Sequence, residues 1–160
     1  MTDNHVKTGD HAAFMAIAIE EARAGAAAGE QPFGAVVALD GELVCRSRSL
    51  KVSTSDATAH SETLAIKYAT QKLGSRTIPE AVFYATCEPC PMCLGAILNA
   101  GINTLVVGAR HAVLPSYVRY GDYSAERMAR LTGWPLKIIE GVMTDECLAL
   151  YRTSPVPLTH

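Results

Sequence analysis

The chain switches between two kinds of hydrophobic spacing. Over residues 11–28, Phe14, Ile17, Ala18 and Ala22 recur at three- to four-residue intervals, which predicts a helix stopped by Gly29. Short continuous apolar runs occupy 35–39, 43–45, 81–85, 104–107 and 136–139. Each is short enough for a strand and shorter than an ordinary helix. Asp40-Gly41 separates the first two and suits a tight hairpin turn with positive φ. Helical spacing predicts further helices at 58–72, closed by Gly74, at 89–100, with proline in its first turn and Gly101 after it, at 124–131 and at 144–151. The polar stretch 51–57 reads as a loop, as does 115–122 with its tyrosines Tyr117 and Tyr120, followed by Tyr123. The termini, 1–9 and 153–160, are expected to be loose.

Strands that are apolar without alternation are covered on both faces. Strands alternating with helices then predict an α/β fold, a three-layer α/β/α sandwich. The opening hairpin is antiparallel, so the sheet is expected to be mixed and about five-stranded. A length of 160 residues suits one domain. A chain of roughly 150 residues buries about two-thirds of its unfolded surface, so no disulfide staple is needed.

Composition narrows the function. Apolar residues make up 49% and charged residues 19%, a globular balance. Net charge is -2 with no basic stripe, which argues against nucleic acid as a partner, since phosphate contacts draw affinity from counterion release. No apolar run reaches membrane-spanning length and the N-terminus has no leader pattern, so no membrane partner and a cytoplasmic location are expected. Of five cysteines, Cys87, Cys90 and Cys93 fall within seven residues, while Cys45 and Cys147 stand alone. An odd, clustered count points to metal or redox chemistry in a reducing compartment.

Cys90 and Cys93 lie three apart at a predicted helix start, on one face, where the free N–H groups favour thiolate. His60 opens the other predicted helix after Asp56 and Thr58, both good cap residues. Two helix starts at one sheet edge can converge on one zinc ion through His60, Cys90 and Cys93. Three protein donors leave the fourth tetrahedral position open, as in catalytic zinc, and such an ion brings the pKa of water towards about 7. Glu62, two residues from His60, is placed to act as general base without binding the metal. Other readings stand beside this one. Cys-x-x-Cys also serves as a redox pair, His60 as a plain helix cap, and Cys87 as a fourth ligand closing a structural, non-catalytic site.

Taken together, Thr58-Ala59-His60-Ser61-Glu62 and Pro89-Cys90-Pro91-Met92-Cys93 resemble the His-x-Glu and Pro-Cys-x-x-Cys signature of the cytidine-deaminase-like zinc deaminases. The likeness runs from about Phe14 to Gly108. Pro32-Phe33-Gly34-Ala35-Val36-Val37, Asp56-Ala57-Thr58-Ala59-His60 and the stretch from Thr86 to Ile97 look closest to guanine and related nucleobase deaminases. The resemblance implies one zinc per chain, a homodimer, and a hydrolytic release of ammonia from a small amino-heterocycle, guanine-like purines favoured. A cytosine or nucleoside deaminase and a tRNA-editing adenosine deaminase are the alternatives. It further implies that Phe33 stacks on the ring and that Ser49, Ala59, Ser61, Asp122 and Tyr123 lie against substrate. Two positions depart from the family. Ser49 stands where members usually carry an Asn that bonds the base or sugar, and Ser61 replaces the usual Ala or Gly. A hydroxyl cannot make the two-ended contact of an amide.

Overall fold

Neighbouring residues of a strand point to opposite faces, so a strand that is apolar throughout serves two cores at once. The computed structural model describes residues 10–115, 118–152 and 154. Their elements run α1 (His11–Ala27), β1 (Gly34–Leu39), β2 (Glu42–Arg48), α2 (Ser61–Leu73), β3 (Val82–Cys87), α3 (Pro91–Asn99), β4 (Thr104–Ala109), a 3-10 turn (His111–Val113), α4 (Ala125–Thr132), β5 (Lys137–Ile139) and α5 (Thr144–Arg152). The sheet order is β2-β1-β3-β4-β5. β1 is antiparallel to β2 and β3, while β3, β4 and β5 are parallel. This is the mixed five-stranded sheet expected from the pattern.

Each strand divides its side chains between the layers. Val36, Ala38, Tyr84 and Val106 pack under α1 and α5, against Phe14, Met15, Ala18, Ile19, Leu150 and Tyr151. Ala35, Val37, Phe83, Ala85, Leu105 and Val107 pack under α2 and α3, against Ala65, Ala69, Leu94, Ile97 and Leu98. Asp40 and Gly41 both have positive φ, and Leu39 pairs with Glu42, so the hairpin closes in a two-residue turn.

Boundaries move where a polar side chain finds a distant partner. β2 continues to Arg48, three residues past the apolar run. As the sheet's edge strand it buries only Val44 and Ser47, and its register with β1 shifts at Val44. Arg46 and Arg48, on its other face, both pair with the buried Glu21 of α1. α2 begins at Ser61 rather than 58 because Asp56 Oδ1 accepts from Thr58 N and Thr58 Oγ1 and folds 56–60 into a turn. α3 likewise begins at Pro91. The termini expected to be loose, Ser154 apart, and Tyr117 lie outside the described residues. Among the described residues no helix is long and apolar enough to cross a membrane.

Gly34 sets how closely α1 lies on the sheet: a Cβ there would collide with the Ala18 carbonyl oxygen. Gly34→Ala is therefore expected to lower unfolding free energy by about 3 kcal/mol, the upper part of the overpacking range. The midpoint of urea unfolding measures it, and an unchanged midpoint would show that α1 can draw back freely.

Candidate active site

Two helix starts meet at the edge where β3 and β4 end. β3 finishes at Cys87, and Glu88-Pro89-Cys90 turn into α3, with Cys90 in the cap position and Pro91 first in the helix. Proline fits there because that N–H has no partner within the helix. His60 occupies the cap position of α2. Neither side chain makes a capping hydrogen bond at its helix start. They turn to each other instead: His60 Nδ1 is 3.4 Å from Cys93 Sγ and 3.8 Å from Cys90 Sγ. The three donor atoms lie within 4.8 Å of one another.

The local charges suit a soft cation. The pKa of Cys90 is lowered to about 4, first by its hydrogen bond with the Cys93 thiol and then by His60, so it is a thiolate. The same bond to Cys90, with burial, pushes the Cys93 thiol up. His60 is raised by its hydrogen bond with Cys90. A thiolate, a second thiol and an imidazole in one cluster are the donor chemistry of zinc. Cys87 is not in that group. Its sulfur lies 3.6 Å from the Glu88 carbonyl oxygen, and burial pushes its thiol well up.

Glu62 lies beside the cluster. Its Oε2 accepts from Ser61 Oγ at 2.9 Å and is 3.6 Å from Cys93 Sγ. Burial, and then the charge on Cys90, raises its carboxyl. Its place in the first turn of α2 pulls the other way, since a helix N-terminus favours a carboxylate by roughly 0.3–1 kcal/mol. The net direction shows that burial wins.

A cleft opens over this floor of donors, with Phe33, His111, Tyr120 and Tyr151 in its walls and Lys51 at its lining. Phe33 stacks on Tyr151 with ring centroids 5.4 Å apart. The Tyr151 hydroxyl donates to Thr86 Oγ1 at 3.0 Å, and Thr86 Oγ1 also accepts from Gly34 N, which fixes that wall to the sheet. His111 Nε2 accepts from Tyr120 N at 2.8 Å, leaving its proton on Nδ1, and the two rings stack. Glu88, behind the cysteine loop, accepts from Arg110 Nε, His111 N and Ala125 N at 2.7–2.9 Å.

The residues expected against substrate are distributed unevenly. Phe33 lines the cleft; Ser49, Ala59, Ser61, Asp122 and Tyr123 do not. Ser49 is buried with its hydroxyl accepting from Lys51 N at 3.4 Å. The Ala59 carbonyl accepts from Leu50 N at 3.0 Å, tying the preceding loop to His60. Ser61 orients Glu62, and its own carbonyl accepts from Ser47 Oγ at 2.5 Å. Asp122 is exposed and ion-paired with Arg127. Tyr123 donates to the Pro89 carbonyl at 2.6 Å and so braces the cysteine loop from outside. Reasoning from sequence missed the places of Lys51, Glu88, His111 and Tyr151 in the cleft lining. For His111 a signal existed, since residues just past the C-terminal end of a parallel strand are where ligands bind.

Comparison with known proteins gives the arrangement a context. The chain is 33% identical over 138 residues to the tRNA-specific adenosine deaminase of Bacillus subtilis, covering 84% of this chain and 81% of that protein. It is 38% identical over 103 residues to the guanine deaminase of the same organism, covering 64% and 66%. Against the chloroplastic tRNA(adenine(34)) deaminase of Arabidopsis thaliana it is 43% identical over 101 residues, which is 63% of this chain and 8% of that protein's length. The solved structure of guanine deaminase from Nitrosomonas europaea superposes with a TM-score of 0.80 at 26% identity, covering 91% of this chain and 85% of that one. The His60, Cys90 and Cys93 group suits the single zinc ion of such deaminases. The pattern of the MafB19-like deaminases matches residues 9–129, more than half the sequence, and the chain belongs to that family.

Proposed function

We propose that the protein is a zinc-dependent hydrolase that removes an exocyclic amine from a free, nucleobase-sized heterocycle, a guanine-like purine favoured over a pyrimidine or nucleoside. The observation that carries this reading is Glu62: a buried carboxyl set beside the three-donor cluster, in a cleft with an aromatic wall. Zinc held by His60, Cys90 and Cys93 supplies the Lewis acidity that makes water a nucleophile at neutral pH. Glu62 carries the protons. With its carboxyl raised by burial, it takes a proton from the attacking water and passes it to the ring nitrogen beside the reacting carbon. It then assists protonation of the departing amine. The water oxygen remains on the ring carbon, and nitrogen leaves as ammonia. Ser61 Oγ holds the Glu62 rotamer. Phe33 offers its face to the flat ring, a contact of about 0.5–1.5 kcal/mol beyond area burial. The free cysteines suit a reducing compartment, and we place the reaction in the cytoplasm.

A second reading, editing of an adenosine in tRNA, draws on the relatives named tRNA-specific adenosine deaminase. The charge distribution supports the small substrate. Arg46, Arg48, Arg110 and Arg127 all have carboxylate partners, and the net charge is -2. Cations already paired neutralise few phosphates. An ammonia-release screen over guanine, adenine, cytosine and their nucleosides, run beside tRNA, separates the two. Turnover of a free base is expected; inosine formed only in tRNA would replace this reading with the second.

Glu62→Gln is expected to keep its zinc and lose at least about 100-fold in ammonia release, the lower end of general acid–base contributions. Cys87→Ala is expected to keep full zinc content by elemental analysis. Wild-type turnover in the first variant would remove the role given to Glu62, and zinc loss in the second would make the site a closed structural one. We also assign the protein a homodimer, in keeping with the exposed Leu131 and Trp134 on and after α4. Light scattering is expected to give twice the mass of one chain, and a mass of one chain would remove that assignment.

A further inference from the structure

Several of the cationic side chains are committed to partners within the fold. Arg46 and Arg48 pair with Glu20 and Glu21, Arg110 with Glu88, Glu126 and Glu140, and Arg127 with Asp122. Lys72 donates to the Val44 carbonyl. Lys51 differs. It is half-buried and lines the cleft together with His60, Glu62 and Cys90. Among the described residues its side chain has neither a carboxylate nor a hydrogen-bond partner.

The backbone around Lys51 is clamped. Its N–H donates to Ser49 Oγ, and Leu50 N donates to the Ala59 carbonyl, next to His60. Val52 N and Ser53 N donate at 2.9 and 2.8 Å to the carboxylate of Glu30, which is buried at the end of α1. Burial would raise that carboxyl, but the bonds from Ser53 and Val52 outweigh it and keep it ionised. Ser49 thus spends its hydroxyl on the turn that presents Lys51, and the side chain offered to the cleft is the lysine. An ammonium has three donors and no acceptor. It favours an anionic oxygen and gains nothing from a ring N–H or amine.

We infer that Lys51 is a specificity-determining residue that favours, among the heterocycles this cleft accepts, those carrying an oxyanion substituent on the edge that meets it. The inference rests on the deaminase reading and names the substrate class within it. Ion-assisted hydrogen bonds are about twice as strong as neutral ones.

Matched probes test it with the zinc-loaded full chain: pterin against pterin-6-carboxylate, cytosine against cytosine-5-carboxylate, and guanosine against guanosine 5′-monophosphate. The wild type is expected to prefer an oxyanion partner by about tenfold in kcat/KM, ~1.4 kcal/mol. The carboxylate and phosphate arms tell which source of oxyanion fits. Lys51→Met is expected to erase that preference with zinc content and thermal midpoint intact, and Lys51→Arg to restore part of it. Equal turnover of neutral and anionic partners by the wild type, or an unaltered preference in Lys51→Met, would overturn the inference. If no probe releases ammonia, calorimetric Kd values still decide. Tight oxyanion binding lost in Lys51→Met would uphold the anion site while the deaminase reading falls, and no difference in Kd would overturn the site as well.

Discussion

One buried carboxylate holds the catalytic edge in register. Glu88 follows β3 directly, and its two oxygens take donors from two other segments: Arg110 and His111 past the end of β4, and Ala125 at the start of α4. A buried charge without such partners would cost several kcal/mol, so the three segments have to meet there for the fold to close. The same meeting aims Cys90 at His60, brings His111 into the cleft wall, and sets α4 where Tyr123 can reach the Pro89 carbonyl. Backbone N–H groups supply two of the three donors, so the arrangement depends on chain path more than on side-chain rotamers.

The sheet supplies the rigidity this needs. Because β1, β3 and β4 each feed both cores, none can slip by one residue without moving its whole side-chain set to the wrong layer. Register is therefore fixed at the strand ends, where Phe33, Cys87 and His111 emerge. Glu62 gains from the same rigidity: its shift comes from burial, and burial persists only if α2 and α3 stay packed on the sheet.

Much of this was legible in the sequence. The strands and α-helices follow from apolar spacing because each buries its own apolar set, and the His60–Glu62 and Cys90–Cys93 pairs were visible because each lies within a few residues on one helix start. What was not legible depends on partners distant in sequence. β2 outruns its apolar residues because Glu21 of α1 draws Arg46 and Arg48 into line. His60 and Cys90 are caps, not first-turn residues, because Asp56 and the Glu88 turn delay the helices. The aromatic wall pairs Phe33 with Tyr151 from the last helix, a meeting that no local pattern encodes. Asp122 looked like a pocket residue and instead faces Arg127 at the surface.

Charge placement joins these observations. Three of the nine arginines hold elements together: Arg46 and Arg48 tie β2 to α1, and Arg110 ties the end of β4 to Glu88 and α4. Arginine suits that work because its planar fork serves several carboxylates at once, as Arg110 does with three. Lysine is a compact point charge on a flexible stem, poorer as a brace and better at meeting a single ligand atom. The division of labour here follows that difference, with arginines in the frame and a lysine at the cleft.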